Sequence, residues 1–470
     1  MKTKSTSILI VLFSTLAFLP GGLAQTNAAI VVTSPPVEGE KLSQEYTVTV
    51  EKKEVPVDMA QLDPGFHKTT MHMDDTYSFA SFEFSGPVTI VIHSTQPLTS
   101  LTIRPNGAGI PIKLDGNNAT FTLEHTGNFL IERNGHGRKD PLLLFANRLE
   151  TNVPKEGDPG VVYFGPGRHN AGFINLTSNQ TLYIADGAVV TGAVIARGDN
   201  IKISGRGLLE NDGGPYNGKD IIWLDHCTHV TVEGITLRKN SQFWTVKVQN
   251  CDGVNFSDLK ICGAARGNDD GIDPVNTRNM VVQDCFIRTK DDCMAFKGIG
   301  DPTQNCENIT VTGTSLWSDQ CCTLLFGDES MADHMRNITF KDCHVLFLSP
   351  EGIPKKFLMV HAADGMQVEG LTFENIDIHG EGQKHNYIEM VCGSNKYSKL
   401  KTPGFIKNIT LKNVNLTGQE GGYIILLRGF DDTHDIENVL FDNCSITGKP
   451  LTAQSPNLQI GKFTKDIQFK

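Results

Sequence analysis

Three aspartates within one short stretch are the residues of this chain best suited to chemistry. Asp270 and the adjacent pair Asp291 and Asp292 lie in residues 267–298, which read GNDDGIDPVNTRNMVVQDCFIRTKDDCMAFKG. Carboxyl groups a few ångströms apart raise one another's pKa, so that one stays protonated near neutrality while another is ionised. A protonated acid beside an ionised carboxylate is the pair that glycosidic bond hydrolysis requires.

The spacing of the two acidic clusters matches an internal repeat of the chain. From Asp225 onward, short β-rich segments return every two to three dozen residues: HVTVEGITL, GVNFSDLKI, NMVVQDCFI, NITVTGTSL, NITFKDCHV, GLTFENIDI, NITLKNVNL and NVLFDNCSI. One strand-turn-strand unit in each repeat is typical of a solenoid and predicts a right-handed parallel β-helix. Strands of neighbouring coils lie roughly 4.8 Å apart, so the two clusters become lateral neighbours. Asp-Asp and Asn-Asp steps are also common turn residues, but their occurrence one coil apart favours a site.

Four segments carry a resemblance to a known family. Residues 268–273 (NDDGID) resemble the Asn-Thr-Asp-Gly-Phe/Ile-Asp motif of polygalacturonases, glycoside hydrolase family 28, and residues 291–297 (DDCMAFK) resemble their Asp-Asp-Cys-Ile-Ala-Ile-Lys. Residues 240–245 (NSQFWT) and 200–207 (NIKISGRG) are similar to further segments of the same enzymes. The resemblance covers roughly residues 160–460, in order, and it implies an all-β parallel β-helix fold.

The resemblance also implies roles for the three aspartates. Asp291 would be the general acid that protonates the glycosidic oxygen, while Asp270 and Asp292 orient and deprotonate the attacking water. Inverting enzymes keep acid and base roughly 6.5–9.5 Å apart so that water fits between base and sugar. Lys297 would hold the substrate or neutralise the acidic cluster. Neither a metal ion nor another cofactor is implied.

The chain departs from the family pattern at two positions. Cys321-Cys322-Thr323 stand where polygalacturonases carry Gly-His-Gly, and Phe357-Leu358-Met359 stand where they carry Arg-Ile-Lys. The family's Arg and Lys bind the uronate carboxylate, so an apolar replacement moves the expected substrate toward a neutral or otherwise modified glycan. Lys355 or Lys356 would restore the missing cation if the intervening loop shifts the alignment. The domain order is similar to that of the dextranase family, glycoside hydrolase family 49.

Four further residues are candidate substrate contacts. Asn268 and Trp244 lie within the matching motifs, His361 lies in the coil that lacks Arg-Ile-Lys, and Glu389 is flanked by apolar residues in YIEMV. A single histidine in a β-helix is more often a hydrogen-bonded turn residue than a ligand-binding one. Glu389 is therefore the better candidate for a cleft residue.

Other functions remain open at this point. A pectin-degrading polygalacturonase or rhamnogalacturonan hydrolase fits the same three aspartates. Pectate lyases share the β-helix and use clustered aspartates to hold Ca²⁺, although they also need a basic residue, and no arginine stands beside the trio in sequence. A non-catalytic surface β-helix is the third alternative, but such a protein has no reason to keep three aspartates close together.

The remainder of the chain predicts two further segments. Residues 1–24 read as a secretory signal peptide, with a basic start and a short apolar run that ends in small residues. Residues 25–150 read as a small antiparallel β-sandwich with strands over 46–57, 77–84, 88–93, 98–105, 119–125 and 128–135. The catalytic β-helix then occupies residues 151–470. The alternating aromatic residues Phe79, Phe82 and Phe84 favour core packing over a sugar-binding face.

Composition limits the class of partner. The 470 residues carry a formal net charge of −11, which disfavours binding to nucleic acid, and a polysaccharide or oligosaccharide is the expected substrate. No cysteine follows the cleavage site closely, so a lipid anchor in a membrane is not expected, and the mature protein should be secreted or periplasmic. All 11 cysteines lie between Cys227 and Cys444. Several of them follow Asn or Asp in the repeats, which predicts small buried residues stacked coil on coil.

Overall fold

The fold is described from a computed structural model that covers residues 29–71, 73–105, 107, 109–212, 214–299, 305–331, 333–348 and 356–470. The predicted signal peptide, residues 1–24, lies outside the described residues. None of the helices in these ranges is both long and apolar enough to span a bilayer. The chain is almost entirely β-structure, in two small sheets followed by one sheet of 28 strands.

The two small sheets face each other across an apolar core and form a β-sandwich. Its strands are β1 (Ile30–Val32), β2 (Tyr46–Val50), β3 (Lys53–Val55), β4 (Val57–Gln61), β5 (Thr76–Ser85), β6 (Val88–Ser94), β7 (Leu101–Arg104), β8 (Lys113–Asp115), β9 (Asn118–Leu123), β10 (Gly127–Arg133) and β11 (Leu142–Arg148). One sheet has the order β1-β5-β11-β10-β7 with β4 paired to β5, and the other has the order β3-β2-β6-β9-β8. Between β4 and β5 lie a short helix, α1 (Pro64–Phe66), and a π-helical turn (His67–Met71).

The large sheet winds into a parallel β-helix. Its strands are β12 (Val161–Phe164), β13 (Gly167–Leu176), β14 (Thr181–Ile184), β15 (Ala188–Gly205), β16 (Leu208–Asn211), β17 (Ile222–Glu233), β18 (Thr236–Lys239), β19 (Val246–Gln249), β20 (Asp252–Ser257), β21 (Lys260–Cys262), β22 (Ile272–Val275), β23 (Arg278–Gln283), β24 (Phe286–Thr289), β25 (Met294–Phe296), β26 (Cys306–Thr312), β27 (Ser315–Ser318), β28 (Leu324–Gly327), β29 (His334–Phe347), β30 (Leu358–Ala362), β31 (Gln367–Glu381), β32 (Asn386–Cys392), β33 (Phe405–Gln419), β34 (Ile424–Arg428), β35 (Ile436–Asp442), β36 (Ser445–Ile446), β37 (Lys449–Pro450), β38 (Leu458–Ile460) and β39 (Thr464–Phe469). A 3-10 turn (Gly214–Tyr216) interrupts one loop. The predicted all-β fold class, a right-handed parallel β-helix preceded by a β-sandwich, is confirmed.

The coil has three faces, and long strands bend from one face to the next. Face A includes β20, β23 and β26, face B includes β18, β21, β24 and β27, and face C includes β19, β22, β25, β28, β30, β32 and β34. The chain passes from A to B to C within each coil. The turns from face B to face C, called the B–C turns below, carry both acidic clusters.

Alternation along each strand of face C separates a core row from an outward row. The inward side chains pair coil by coil and are buried: Val246, Ile272, Met294, Leu324, Leu358, Ile388 and Ile425. The residue after each of these points outward, because successive side chains of a strand point to opposite faces. The outward row is Lys247, Asp273, Ala295, Leu325, Met359, Glu389 and Leu426. Asp273, Ala295 and Leu325 of this row are buried, whereas Lys247, Met359, Glu389 and Leu426 are partly exposed.

Polar ladders fix the turns between coils. Asn308, Asn337 and Asn408 all have left-handed backbone conformations, with φ of 57°, 55° and 58°. Asn337 Nδ2 donates to Asn308 Oδ1 at 3.3 Å, and Asn308 Nδ2 donates to Asn279 Oδ1 at 3.2 Å. The NIT triplets are thus side-chain ladders, since Asn tolerates the left-handed region and bonds to the next coil.

The cysteines follow two ladders, whereas the sequence pattern placed them in one. Cys251 Sγ accepts from Cys227 N in one turn, while Cys285 N donates to Thr314 Oγ1 in another. Both turns use a left-handed Asn or Asp followed by a small buried residue, so their local sequences look alike. None of the 11 cysteines forms a disulfide.

The sandwich docks on face B of the β-helix. Strands β5 and β11 are buried on both sides, because one side fills the sandwich core and the other meets the coils. Phe82 and Phe84 pack inside the sandwich, and Phe79 and Phe145 pack toward Phe286 of β24. The core-packing prediction for Phe79, Phe82 and Phe84 is confirmed, and all three are at most 3% exposed.

Candidate active site

Backbone hydrogen bonds stack the B–C turns and bring the three aspartates together. Thr245 N donates to Asp270 O at 2.8 Å, and Gly271 N donates to Asp292 O at 2.9 Å. Asp270 therefore lies directly beside Asp292 in the neighbouring coil, as the repeat length predicts. Asp270 and Asp292 are 3% and 7% exposed, whereas Asp291 is half-buried at the open edge of the patch.

Lys297 is the counter-charge of this cluster. Its Nζ lies 3.4 Å from Asp270 Oδ2, 3.6 Å from Asp273 Oδ1 and 2.8 Å from Glu329 Oε1. Burial disfavours the ammonium, but Asp273, Asp270 and Glu329 outweigh it and raise the pKa of Lys297 well above its ordinary value. Lys297 is 2% exposed. The sequence predicted that Lys297 either holds the substrate or neutralises the acidic cluster. These contacts favour the second role.

The buried carboxyl groups have raised pKa values. Burial, opposed by Lys297 and reinforced by the charge of Asp291, raises the pKa of Asp270 to about 7. Burial and the charges of Asp291 and Asp270 raise the pKa of Asp292 well above its usual range. Burial and Asp270 do the same for Asp273. Asp270, Asp273 and Asp292 therefore bind protons more tightly than ordinary carboxyl groups, and Asp270 titrates near neutral pH.

Trp244 forms the wall on the N-terminal side of the cluster. Lys297 Nζ lies 4.2 Å from the centroid of its ring, and the ring stacks on Phe243 at 5.3 Å. Lys247 Nζ lies 5.7 Å from the same ring and 5.2 Å from Trp223. Trp244 is 8% exposed, so only an edge of its ring reaches the surface.

Backbone contacts hold the turn that carries Asp291 and Asp292. Asp291 O accepts from Thr289 Oγ1 at 2.6 Å and from Ser318 Oγ at 2.7 Å. Asp292 Oδ1 accepts from Cys322 N at 2.8 Å. The backbone N–H of Cys322, the residue that stands at the family's histidine position, thus orients one of the three carboxylates.

The cleft floor beyond the acidic cluster is apolar. Ala295, Cys322 and Leu325 form a small buried cluster with Met359 packed against it, and Cys322 Sγ lies 3.9 Å from Met359 Sδ. Phe357 and Leu358 point into the core and are fully buried. Within the predicted triplet 357–359, only Met359 contributes a side chain to the outward row.

Glu389 follows Met359 in the outward row and has two polar neighbours. Asn386 Nδ2 donates to Glu389 Oε2 at 2.7 Å, and Lys356 Nζ lies 3.4 Å from the same oxygen. The Glu389 side chain is 18% exposed. Lys356 therefore lies near the position that the alignment left open, with its charge already paired.

His361 and Asn268 lie on opposite sides of the cluster. His361 Nδ1 is 3.0 Å from Asp328 Oδ1 and 3.3 Å from Asn395 Nδ2, and its side chain is 12% exposed. It occupies face C beside Gly327 and Val391. Asn268 is exposed at the mouth of the turn that carries Asp270, with φ of 56°. Both remain predicted substrate contacts.

The sequence patterns did not identify three further residues of the candidate site, which are Asp269, Asp273 and Glu329. Asp269 Oδ1 accepts from Lys290 N at 2.9 Å and from Asp291 N at 3.0 Å. Asp273 and Glu329 complete the surroundings of Lys297. Asp269 and Asp273 both stand in the NDDGID motif, so the signal was present, but their roles depend on contacts with the next coil.

Cys321 lies beside Asp291 and Asp292. Its Sγ and one oxygen from each of Asp291 and Asp292 lie within 4.8 Å of one another. Cys321 is half-buried, whereas the other ten cysteines are buried. A thiol therefore borders the carboxylates at the open edge of the cluster.

Comparison with protein families decides the assignment. The family model described as glycosyl hydrolases family 28 matches residues 169–464, more than half of the chain. The chain belongs to this family. The resemblance found in the sequence motifs is thereby confirmed.

Family 28 relatives match over part of their length. A polygalacturonase of Juniperus ashei is 32% identical over 258 residues, which are 45% of this chain and 48% of that protein. An endopolygalacturonase of Emericella nidulans is 24% identical over 276 residues, or 55% of this chain and 67% of the relative. The chain thus spans about half of the juniper relative.

Two solved structures share the fold across both domains. Dex49A from Penicillium minioluteum has a TM-score of 0.68 and 16% identity, with coverage of 93% of this chain and 96% of that one. A family 28 exopolygalacturonase of Yersinia enterocolitica has a TM-score of 0.54 and 13% identity, with coverage of 93% and 94%. At these identities the likeness shows the fold alone.

Proposed function

We propose that this family 28 enzyme is an exported, inverting hydrolase of a neutral or otherwise modified glycan. The observation that carries the proposal is the outward row of face C, where Asp273 at the acidic cluster is followed by Ala295, Leu325 and Met359. Met359 is the partly exposed residue of this apolar group and offers no cation to a uronate carboxylate, and the nearby Lys356 ammonium is already paired with Glu389. Desolvating that carboxylate without a partner is costly.

The proposed mechanism assigns one role to each aspartate. Asp291, at the open edge, protonates the glycosidic oxygen of the leaving group. Asp270 and Asp292, stacked side by side, hold the attacking water, and Asp270, whose pKa is about 7, takes its proton. A base with a pKa near 7 accepts a proton more readily than an ordinary carboxylate. Lys297 keeps the buried group of carboxylates from carrying an uncompensated charge.

The names of the relatives favour a second candidate, a polygalacturonase. Lys356 would serve it if a substrate carboxylate displaced Glu389 from the ammonium, which lies 3.4 Å away. In that case Lys356 would bind the uronate in place of the family lysine. The first candidate remains preferred because the Lys356 charge is already paired.

A panel of polysaccharides distinguishes the two candidates. The purified protein is incubated with dextran, other neutral glucans, galactose- or rhamnose-containing chains and polygalacturonate. Products are resolved by size, and their first-formed anomer is identified by NMR. We expect release of inverted products from a neutral glycan, with dextran-like glucans first, and little or none from polygalacturonate. Efficient release of galacturonate oligomers would reject the neutral-glycan assignment.

The same assay separates hydrolysis from a lyase reaction. Catalysis by carboxyl groups needs no added Ca²⁺, so activity should persist after treatment with EDTA. Unsaturated products that absorb in the ultraviolet, together with a requirement for Ca²⁺, would contradict the proposed mechanism.

A further inference from the structure

The segment between β4 and β5 of the sandwich lies against the back of the B–C turns. Asp63 N donates to Ala264 O at 2.9 Å, and Tyr77 Oη donates to Gly263 O at 3.1 Å. Gly263 and Ala264 begin the turn that leads to Asp270. Residues 63–71 and 73–77, called the brace below, thus hold this turn on the side opposite the cleft.

The brace also holds the turn that carries Asp291. Asp63 Oδ2 accepts from Lys290 Nζ at 2.5 Å, and the Lys290 side chain is only 10% exposed. Lys290 Nζ also lies 5.2 Å from the ring centroid of Phe66. Lys290 directly precedes Asp291. The sandwich therefore forms an ion pair with the residue next to the proposed acid.

Asp269 connects these two turns from inside the coil. Its Oδ2 accepts from Ala264 N at 2.7 Å, while its Oδ1 accepts from Lys290 N and Asp291 N. Asp63 and Asp269 therefore hold the same pair of turns, one through the Lys290 side chain and one through its backbone. A shift of Lys290 would be transmitted to Asp291 through the shared acceptor.

A third turn is anchored through a buried ion pair. His67 Nε2 lies 3.0 Å from Asp319 Oδ2, both side chains are fully buried, and Arg288 Nη2 lies 3.1 Å from the same oxygen. The Arg288 guanidinium stacks 3.6 Å from the Trp317 ring centroid and 4.1 Å from that of Tyr77. Asp319 begins the turn that presents Cys321 and Cys322. Three consecutive turns of the site thus contact the brace.

We propose that the sandwich is a working part of the active site, in which the brace positions the catalytic turns and Asp63 with Lys290 forms a positioning pair for Asp291. This inference rests on the proposed role of the acidic cluster. Catalytic groups must be held within about 0.5 Å of their productive geometry, and displacement by about 1 Å lowers rates by about 10²-fold. A domain fixed at three turns can supply that rigidity.

Two substitutions in the full chain test the positioning pair. Lys290→Met keeps the length of the side chain and removes its charge, and Asp63→Asn keeps a residue that caps α1. On the panel glycan that the wild type cleaves fastest, we expect kcat to fall about ten-fold while KM stays within about two-fold, as for loss of transition-state geometry. Lys290→Arg should restore most of kcat. Lys68→Met, which removes the exposed Lys68–Asp75 pair of the same brace, is the matched control and should leave kcat unchanged.

A measurement without substrate makes the test independent of the proposed function. Relative to the wild type, hydrogen exchange of the Lys290 and Asp291 amides should be at least ten-fold faster in Lys290→Met and in Asp63→Asn. In Lys68→Met it should be unchanged. If the wild type cleaves no glycan, the proposed function fails, and amide exchange still decides the positioning role. Unchanged exchange and unchanged kcat in folded Lys290→Met and Asp63→Asn would overturn the inference. An equal fall in both variants' kcat with unchanged exchange would likewise overturn it.

Discussion

Asp270, Asp291 and Asp292 occupy three environments within one patch. Asp270 contacts the Lys297 ammonium, Asp292 accepts a backbone N–H from Cys322, and Asp291 lies half-buried at the edge. Such differences divide acid and base duties among chemically identical side chains. The environment of each carboxyl group therefore depends on its own neighbours, even for Asp291 and Asp292, which are adjacent in one turn.

Removal of any one of the three carboxyl groups should abolish most activity. Asp270→Asn, Asp291→Asn and Asp292→Asn keep the side-chain volume but cannot exchange a proton, and each acid or base role contributes about 10²–10⁴-fold in rate. We expect losses of that size in kcat, with circular dichroism spectra unchanged. Asp377→Asn, which alters an exposed carboxylate on face B, is the matched control. Three folded variants with wild-type rates would contradict the site.

The raised pKa of Asp270 links stability to pH. Its folded pKa is about 7 and its ordinary value is 3.8, so the folded protein binds the proton more tightly. The stabilisation is complete below pH 3.8 and is lost as the pH rises to about 7. Asp270→Asn lacks this titrating group. Between pH 3.8 and about 7, the free energy of unfolding of the wild type should therefore fall more steeply than that of the variant, by roughly 1.4 kcal/mol for each pH unit.

Chemical denaturation between pH 4 and 8 measures this difference. The difference between the two free energies of unfolding should change steadily with pH up to about pH 7 and stay constant above it. Parallel curves over the whole range would show that Asp270 has an ordinary pKa. The wild-type rate should decline as the pH falls below 7, because the base is then protonated.

Residue identities in the site were predictable, but their contacts were not. The motif and the repeat length together identify Asp270, Asp291 and Asp292 as neighbours. Asp269 is indistinguishable from a turn residue in the sequence, and Glu329 belongs to no motif. Their functions arise from contacts across coils, where side-chain geometry rather than spacing decides the partner.

At the scale of elements, we expect the outward row of face C to determine whether the cleft binds a charged or a neutral glycan. Met359 stands between Leu325 and Glu389 in the row. Met359→Lys would place a cation in the position of the family lysine. We expect the ratio of rates on polygalacturonate and on the neutral substrate to rise at least ten-fold.

The matched control for this substitution lies in the same row. Leu426→Lys adds the same charge beyond Glu389 and should leave the ratio within about two-fold. Initial rates on both polymers give the comparison. An unchanged ratio in Met359→Lys would mean that substrate charge is read elsewhere in the cleft.

Most strands of the sandwich were predicted from the sequence, including β5, which is buried on both sides, but β11 was not. The predicted segments 77–84, 88–93 and 128–135 correspond to β5, β6 and β10. Strand β11 (Leu142–Arg148) was missed because its apolar run LLLFA shows no alternation. That run has no polar face, since one side meets the sandwich core and the other meets face B.

At the scale of the whole molecule, the cysteines are distributed so that one of them borders the cleft. Ten are buried in the coil, and Cys321 is half-buried beside Asp291 and Asp292. A thiol reagent applied to the folded protein should therefore modify Cys321 first and reduce activity by blocking the cleft.

Peptide mass mapping after brief treatment with iodoacetamide locates the modified residue. Cys321→Ser should keep its activity through the same treatment. Loss of activity in Cys321→Ser, or labelling of a ladder cysteine such as Cys285 at the same rate, would contradict the prediction. Dithiothreitol should leave the Tm unchanged, because no disulfide links the described cysteines.

The double-sided burial of β5 and β11 has a consequence for biogenesis. The sandwich is synthesised first, and its outer face, with Tyr77, Phe79, Leu143 and Phe145, meets coils that include Phe286 and Trp317. Until those coils have been made, that face has nothing to cover it and is a target for chaperones or for aggregation. A ribosome stalled after the sandwich would carry a nascent chain with this apolar face exposed. The last step of folding must therefore wait until the coil around Trp317 has been synthesised.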